Sequence, residues 1–368
     1  MKRALVPATA ALMAVMLSGG AVFAQDASPS AAPSMAPAPA PTPTPEPTPP
    51  PEATGILKRV QDRGSLVCGV NGALPGFSVL DEATGQYSGF DADYCRAVAA
   101  AVLGDPTKVE FRALTAAQRG PALQTGEIDV LIRNTTWTVT RDTSWGLFAP
   151  TTFYDGQGIM VRSDLGVTTL EELATATVCV QSGTTTELNL TDQMRARSIE
   201  FTPLVFADID ATYGAYEEGR CDAVTSDLSQ LASRRTTMAD PAAHVLLDAV
   251  LSKEPLGPVA PLGDDQWFNV VKWTVFATIE AEELGLTQAS IATADITNPV
   301  VARLVGAEGG LAAYLALDDG WIVDVISAVG NYGEIYDRNL GPATPFGIAR
   351  GLNSLWTQGG LLYAPPYR

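Results

Sequence analysis

Short apolar runs alternate along this chain with stretches of helical spacing, and this alternation limits the possible folds most strongly. Residues 66–70, 108–112 and 128–132 each have the pattern of a strand. Helical spacing fills both intervals, with Asp91 expected to cap the first helix and Pro121 interrupting the second. Strands that alternate with helices indicate βαβ units and a mostly parallel sheet.

The same pattern begins again in the second half of the chain. Strands are expected at residues 178–181, 200–206 and 221–225, with helices at residues 187–195 and 208–219 between them. Roughly 310 residues follow the N-terminal segments, enough for two domains of ordinary size. We therefore expect an α/β protein of two lobes. The other expected elements are strands at 156–161, 245–250 and 256–260, helices at 264–284 and 318–339, the latter split at Gly330, and a short helix at 350–357.

A dense run of hydroxyl, amide and guanidinium groups at residues 133–142 follows the strand at residues 128–132. In open α/β sheets, ligands bind beyond the carboxyl ends of the strands. Arg141 is the strongest candidate, because a guanidinium offers a planar fork of donors to a carboxylate, while Asn134 and the threonines add polar contacts without charge. A solvated turn with a surface arginine explains this run equally well.

A glycine and hydroxyl turn at residues 182–186 precedes the helix expected at residues 187–195. Thr184 and Glu187 match a capping box, and the unpaired N–H groups at the helix start, at Thr184 and Thr185, suit an anion. The alternative is that the box only caps its own helix.

Asp227 lies just after the strand expected at residues 221–225. Its carboxylate suits either a ligand or the capping of a helix at residues 228–235. A cation on one unit and an anion on the other suit a zwitterion held between lobes, such as a free amino acid. Arg141 would then bind the α-carboxylate and Asp227 the α-ammonium through charge-assisted hydrogen bonds.

The N-terminal 54 residues have the composition of export and spacer segments. Residues 1–24 begin with Lys2 and Arg3, continue with an apolar core and end in small residues, which predicts a secretory signal peptide cut after Ala24. Residues 25–54 are almost wholly Ala, Pro, Ser and Thr and predict a disordered tether. No later stretch has the roughly 18 consecutive apolar residues of a membrane span. We expect a secreted, periplasmic protein.

The charge of the chain argues against nucleic acid as a partner. Of 23 basic residues, 21 remain after the signal peptide against 41 acidic residues, a formal charge of −20. Phosphate binding needs a basic face, which this balance does not favour.

Four cysteines lie in two well-separated pairs. Proximity favours the disulfides Cys68–Cys95 and Cys179–Cys221 in an oxidising compartment, and buried free thiols are the alternative. The spacings fit no zinc ribbon and His244 is the only histidine, so we expect neither a metal site nor a cofactor.

Several longer stretches, taken together and in this order, are typical of one protein family. They include CGVN at 68–71, PGFS at 75–78, GFDADYCR at 89–96, RNTTWT at 133–138, CVQSGTTTELNL at 179–190, CDAVTSD at 221–227 and WTQGGLLYAPPYR at 356–368. Through them the chain, from about residue 55 to residue 368, resembles the periplasmic solute-binding proteins of amino-acid ABC transporters, most closely the general L-amino-acid-binding branch.

The resemblance implies roles for individual residues. Arg141, the backbone N–H of Thr136 and Thr185 would bind the α-carboxylate, while Asp227 and the backbone around Asn134 would bind the α-ammonium. The side-chain pocket would be lined by Asn71, Leu74, Phe77 and Gln118, although Phe77 by itself suits the core and Pro121 departs from the family pattern near Gln118. Relatives selective for cationic amino acids tend to have an acid and an aromatic ring in that first loop; Asn71 and Leu74 there favour a broad or polar-neutral preference.

The resemblance also implies a fold and partners. The fold would be a type II periplasmic binding protein of the Venus-flytrap kind, with two α/β lobes joined by a hinge of two crossings. The first lobe is expected at residues 55–162 and 254–368 and the second at residues 163–253. The partners would be an L-amino acid and the membrane permease of an ABC importer, and we expect a monomer.

Two other functions fit the same scaffold. A periplasmic cyclohexadienyl or arogenate dehydratase would need a general acid or base at the cleft, and the only histidine, His244, lies on a predicted strand with no evident partner. The sensor domain of a receptor is a third possibility, but no second membrane span or cytoplasmic module follows.

Overall fold

A computed structural model of the chain describes residues 51–368. The expected signal peptide and residues 25–50 of the expected tether lie outside the described residues. The elements of the first half are α1 (Gly55–Arg63), β1 (Leu66–Val70), β2 (Ala73–Leu74), β3 (Ser78–Asp81), β4 (Gln86–Ser88), α2 (Phe90–Leu103), β5 (Val109–Ala113), α3 (Arg119–Thr125), β6 (Val130–Leu131), α4 (Val139–Ser144), β7 (Gly146–Phe148) and β8 (Phe153–Arg162). Those of the second half are β9 (Thr177–Gln181), α5 (Thr185–Ala196), β10 (Thr202–Phe206), α6 (Ile209–Glu217), β11 (Ala223–Asp227), α7 (Leu228–Arg235), β12 (His244–Leu246), β13 (Lys253–Leu256), β14 (Val259–Pro261), α8 (Asp265–Glu283), α9 (Pro299–Leu304), α10 (Trp321–Val329) and α11 (Tyr332–Asn339).

The first large sheet has the strand order β5-β1-β6-β14-β7. Strand β1 is parallel to both β5 and β6 and is buried at all of its positions. Burial on both faces is typical of a parallel sheet covered by helices on each side, which explains the unbroken apolar sequence of β1. The strands expected from the alternating pattern therefore form a parallel sheet in this part of the chain.

The second large sheet has the order β10-β9-β11-β8-β12, with β13 also paired to β8. Strands β9, β10 and β11 are parallel, as expected, whereas β8 runs antiparallel to β11. Residues 156–161, expected within the first lobe, thus pair in the second sheet. The boundaries expected for the lobes at residues 162 and 254 stay a prediction.

The two connections between the sheets run through β8 and β13, which lie next to each other. The chain leaves β7 of the first sheet, enters the second through β8, and returns through β13 to β14 of the first sheet. The two crossing strands pair antiparallel, with Gly156 opposite Lys253 and Phe153 opposite Leu256. Both connections between the sheets therefore share one short ladder.

Both disulfides expected from the cysteine spacing are present. Cys68 on β1 is bonded to Cys95 on α2, and Cys179 on β9 is bonded to Cys221, just before β11. Each bond joins neighbouring layers or strands of one sheet, with Cα atoms 6.0 and 5.7 Å apart. The pairing by proximity is confirmed.

Two expected helix starts differ in detail. The expected cap at Asp91 is wrong: α2 begins at Phe90 after Gly89, so Asp91 lies inside its first turn. Position 89 requires glycine, because its φ is +125° and a Cβ there would lie 2.3 Å from the Phe77 carbonyl oxygen. Pro121 does not interrupt α3, since the helix begins at Arg119 and a proline in the first turn has no intrahelical N–H to lose. The capping box at Thr184 is partial: Thr184 accepts the Glu187 N–H, but the Glu187 carboxylate accepts from Gly183.

The C-terminal region is more irregular than expected. The helix expected at residues 350–357 is instead two single 3₁₀ turns, Gly351–Asn353 and Trp356–Gln358, whereas the split at Gly330 between α10 and α11 is confirmed. From residue 51 onward, no helix has the length and apolar character needed to cross a membrane.

Candidate functional site

A cavity of about 290 Å³ lies between groups contributed by the two sheets. Its lining is almost wholly polar and consists of Arg119, Arg133, Asn134, Thr136, Gln181, Thr184, Thr185, Thr186, Ser226, Asp227 and Gln230. These residues follow or flank β6, β9 and β11, so the carboxyl ends of strands from both sheets meet at one place. Five of the predicted site residues, Asn134, Thr136, Thr184, Thr185 and Asp227, are brought together here.

Asn134 is held in an unusual backbone conformation beside this cavity. Its φ is +24°, and its N–H donates to the buried Asp91 carboxylate at 2.8 Å. Its side-chain amide donates to Gln230 Oε1 at 3.2 Å and accepts from Asn71 at 3.3 Å. Because Gln230 lies on α7 and Asn71 follows β1, this one amide joins the two sheets. Asp91, which we expected as a helix cap, therefore acts on the site loop.

Burial is the main cause of the raised pKa of Asp91. The carboxyl is 4% exposed, and loss of hydration raises its pKa to about 6, while the Asn134 N–H and the charge of Arg133 act in the opposite direction. Asp91 thus carries charge at neutral pH only because these partners stabilise it.

Unpaired backbone N–H groups from both sheets face the cavity region. The N–H groups of Thr185 and Thr186 are the first two of α5 and have no intrahelical partner. The N–H of Thr136 likewise has no partner among residues 51–368, since its neighbours Thr135 and Trp137 make the backbone bonds to residues 255–257. Such a set of donors, one of them at a helix start, suits an anionic group.

Arg141 is buried next to the cavity but is not among the residues that line it. Its N–H donates to Thr138 at the start of α4, its Nη1 donates to the Thr136 carbonyl at 3.0 Å, and its guanidinium lies 4.9 Å from the Trp145 ring centre. Burial lowers its pKa, and the charges of Glu254 and Asp227 partly offset this. The role expected for Arg141 on the ligand carboxylate stays a prediction.

Two arginines that the sequence reasoning missed do line the cavity. Arg119 Nη2 donates to the Gly183 carbonyl at 3.1 Å, which joins α3 to the turn before α5. Arg133 lies in the same polar run as Arg141 and is 3% exposed. The sequence shows a cluster of hydroxyl and guanidinium groups at residues 133–142, but it does not show which guanidinium lines the cavity.

Asp227 presents a buried carboxylate with no salt-bridge partner. It occupies the cap position of α7, yet its side chain makes no capping bond, so the helix-capping alternative does not account for it. It is 6% exposed, forms no salt bridge in the described part of the chain, and is stabilised as a carboxylate by the Asn134 amide and the charge of Arg119. Burial raises its pKa well above the usual range, and the charges of Asp155 and Glu254 add to the effect. Such a carboxylate suits a cationic ligand group.

Glu254 is a second buried carboxylate that the sequence reasoning missed. It is 1% exposed on β13, and its Oε2 accepts from the Thr136 and Thr185 hydroxyls at 2.6 and 2.9 Å. Its Oε1 accepts from Asn189 at 2.9 Å and from Ser252. Glu254 therefore accepts hydrogen bonds from hydroxyls on both sides of the cavity, Thr136 from the first sheet and Thr185 from the second. Since each hydroxyl has one hydrogen, Thr136 and Thr185 can offer a ligand anion only their backbone N–H groups.

Of the four residues expected around the ligand side chain, two lie in the core and two line a cavity. Leu74 and Phe77 are fully buried and do not line the cavity beside Asp227; Phe77 packs edge-on against Phe90 and Phe153. Asn71 and Gln118 line a second cavity of about 500 Å³. Arg133 and Gln181 line both cavities, so the two adjoin.

The single histidine lies away from both cavities. Tyr216 OH lies 2.8 Å from His244 Nδ1, and His244 is not among the lining residues of either cavity. Within residues 51–368, no cluster of three or more histidine, cysteine or acidic side chains is arranged to hold a metal ion.

Comparison with similar proteins identifies the family of this chain. Residues 66–252 match the model for bacterial extracellular solute-binding proteins, family 3. The chain is 50% identical over 316 residues to the general L-amino acid-binding periplasmic protein AapJ of Rhizobium johnstonii, covering 85% of this chain and 92% of that one. It is 48% identical over 315 residues to the glutamate/glutamine/aspartate/asparagine-binding protein BztA of Rhodobacter capsulatus, covering 85% and 93%.

A solved structure is similar throughout its length. The periplasmic binding protein of an ABC transporter from Brucella ovis, with glutathione bound, is 49% identical, with a TM-score of 0.83 over 86% of this chain and all of that one. The expected two-lobed α/β fold and the family resemblance are confirmed. This chain belongs to the bacterial extracellular solute-binding proteins, family 3.

Proposed function

We propose that this protein is the periplasmic amino-acid-binding component of an ABC importer and holds the ligand between its two sheets. The observation that carries the proposal is the buried Asp227 carboxylate, which forms no salt bridge in the described chain and lines a cavity together with buried guanidinium groups. A cavity with an anion and cations that form no salt bridge suits a zwitterion better than any singly charged ligand. The relatives from Rhizobium johnstonii and Rhodobacter capsulatus, named as amino-acid-binding proteins, support this choice.

The ligand α-ammonium would lie at Asp227, close to the amide of Asn134. The α-carboxylate would lie at the N–H groups of Thr136 and Thr185, with Arg141 supplying charge from behind. Charge-assisted hydrogen bonds of this kind, made where water is excluded, are stronger than those of surface pairs. Thr184 would act mainly through its cap on α5 and by closing this end of the cavity.

The side chain of the ligand would extend toward Asn71 and Gln118 in the adjoining cavity. The two cavities adjoin, and the similar Brucella ovis protein is described with the larger ligand glutathione bound. A broad specificity is therefore part of the proposal.

Ligand capture would use a hinge at the two crossing strands. Because β8 and β13 form one ladder, a rotation there moves one sheet relative to the other without separating the crossings. Contacts such as Asn134 with Gln230 and Arg119 with Gly183 join the two sides and exist only when they are close. A ligand that contacts both sides shifts the population toward the closed form.

Other parts of the proposal rest on the family. The closed protein would dock on a membrane permease as a monomer, after export through the signal peptide at residues 1–24. We propose a binding role without enzymatic activity, because the relatives from Rhizobium johnstonii and Rhodobacter capsulatus are named as binding proteins.

Calorimetric titration of ligand-stripped protein with the common L-amino acids tests this function. We expect several L-amino acids to bind, each with one ligand per chain, and the deaminated hydroxy acid of the best ligand to bind far more weakly. Absence of binding by every amino acid, or release of water or carbon dioxide from an arogenate-type substrate, would refute the proposal.

A further inference from the structure

Of the two arginines that line the first cavity, Arg133 has more unused hydrogen-bonding capacity than Arg119. Its Nε donates to the Leu114 carbonyl at 2.8 Å, but neither Nη atom has a hydrogen-bond partner among residues 51–368. No acidic side chain of the described chain lies within 4.0 Å of it. By contrast, all three guanidinium nitrogens of Arg119 are engaged, with Ala116, Thr135 and Gly183.

Arg133 lies where the two cavities adjoin. It lines both cavities, and of the first cavity's residues only Gln181 shares this position. The first cavity holds Asp227, and the second extends away from it toward Asn71. A ligand that places its ammonium at Asp227 and its side chain in the second cavity would pass the unpaired end of Arg133.

The acidic groups of the second cavity do not neutralise Arg133. Asp210 is paired with Arg234 at 2.8 Å, and Asp208 caps α6 by accepting the Ala211 N–H at 2.7 Å. Burial lowers the pKa of Arg133 to about 10, so the guanidinium is charged at neutral pH. Desolvation of an unpaired guanidinium is costly, and an anionic ligand group offsets that cost.

We propose that Arg133 binds a second carboxylate, carried by the side chain of the ligand, and that the protein therefore prefers acidic amino acids over neutral ones of the same shape. This inference rests on the proposed function. It replaces the polar-neutral preference suggested by Asn71 and Leu74, because Leu74 is buried in the core and lines neither cavity.

The test compares L-glutamate with L-glutamine, which differ only in the charge of the side-chain end. Both are titrated calorimetrically into ligand-stripped wild-type protein, Arg133→Gln, Arg133→Lys and the control Arg112→Gln. Arg112 is an exposed arginine on β5, paired only with Glu110 at 3.7 Å.

We expect wild-type protein to bind glutamate at least tenfold more tightly than glutamine. Arg133→Gln should reduce this ratio tenfold or more while glutamine still binds, Arg133→Lys should restore part of the ratio, and Arg112→Gln should leave it unchanged. Binding of glutamine by Arg133→Gln shows that the variant is folded.

Equal losses for both ligands in Arg133→Gln would overturn the subsite and leave the proposed function standing. If wild-type protein binds glutamine as tightly as glutamate, the subsite is also overturned and the proposed function still stands, whether or not the variant folds. Absence of binding for every amino acid would overturn the proposed function and the subsite with it.

Discussion

Replacement of Asp227 by asparagine should change ligand affinity and stability in opposite directions. The substitution keeps the size of the side chain and removes only its charge. Asp227 is 6% exposed and forms no salt bridge in the described chain, and the Asn134 amide and the charge of Arg119 offset only part of the cost of ionising its carboxyl. Burial raises its pKa well above the usual range.

The loss of affinity follows from the charge pair. A carboxylate and an ammonium about 4 Å apart attract each other by about 4 kcal/mol at an effective dielectric constant of 20. The cost of ionising a carboxyl with a raised pKa reduces this net gain. We expect Asp227→Asn to weaken amino-acid binding by about 2–4 kcal/mol, or about 30-fold to 1000-fold.

The gain in stability has the opposite sign. A carboxyl whose folded pKa lies above its unfolded value contributes stability below the unfolded pKa, and this contribution is lost as the pH rises through the folded pKa. At pH 8 the ligand-free wild-type protein therefore carries a cost that asparagine removes. Asp227→Asn without ligand should melt at a higher temperature than wild type at pH 8, and the difference should shrink toward pH 4.

Calorimetric titration and thermal unfolding at several pH values measure the two effects. Asp222→Asn is the matched control: it lies just before the same strand, β11, and its carboxylate accepts the Thr177 N–H at 2.8 Å away from the cavity. It should leave affinity unchanged and lower stability slightly. Unchanged affinity in Asp227→Asn, or a lower melting temperature of its ligand-free form at pH 8, would refute the assignment of Asp227 to the ammonium.

Three further changes test the rest of the site. Arg141→Ala should weaken binding by about 2–5 kcal/mol, because a buried ligand carboxylate loses its nearest charge, and calorimetry showing no change would remove Arg141 from the carboxylate site. Glu254→Gln should lower affinity for the amino acid about tenfold, because it weakens the hydrogen bonds that position the Thr136 and Thr185 hydroxyls. Glu110→Gln, at an exposed position, should leave affinity unchanged. Equal affinities of the two variants in calorimetric titration would contradict a role of Glu254 in the site. Replacement of Cys179 and Cys221 together by alanine should lower the free energy of unfolding by about 4 kcal/mol, from loop closure over a sequence separation of 42, and denaturant unfolding with no such loss would contradict it.

The order of strands and helices was accessible from sequence because it depends on local patterns. Apolar runs such as Leu66–Val70 and helical spacing before Gly104 need only a few neighbours to be interpreted. The disulfide pairing followed from proximity along the chain, and the Thr184 cap from a hydroxyl three residues before Glu187. The position of polar residues at strand ends also places Asn134 and Asp227 near one cleft in any α/β fold.

Which side chains reach the ligand was decided only by tertiary packing. Arg133 and Arg141 belong to one polar run, yet Arg133 lines both cavities while Arg141 lies behind Thr136. Phe77 follows a turn-rich loop that suggests a pocket, but the rings of Phe90 and Phe153 enclose it in the core.

Glu254 shows the physical reason most clearly. Nothing in the sequence near residue 254 indicates a site, and its meaning comes from hydroxyls 118 and 69 positions away that the fold brings within 2.6 and 2.9 Å. Local sequence determines which backbone conformation a segment adopts, because the interactions involved are between near neighbours. The site depends on the direction of single side chains from elements far apart along the chain, and only the packing of both sheets sets those directions.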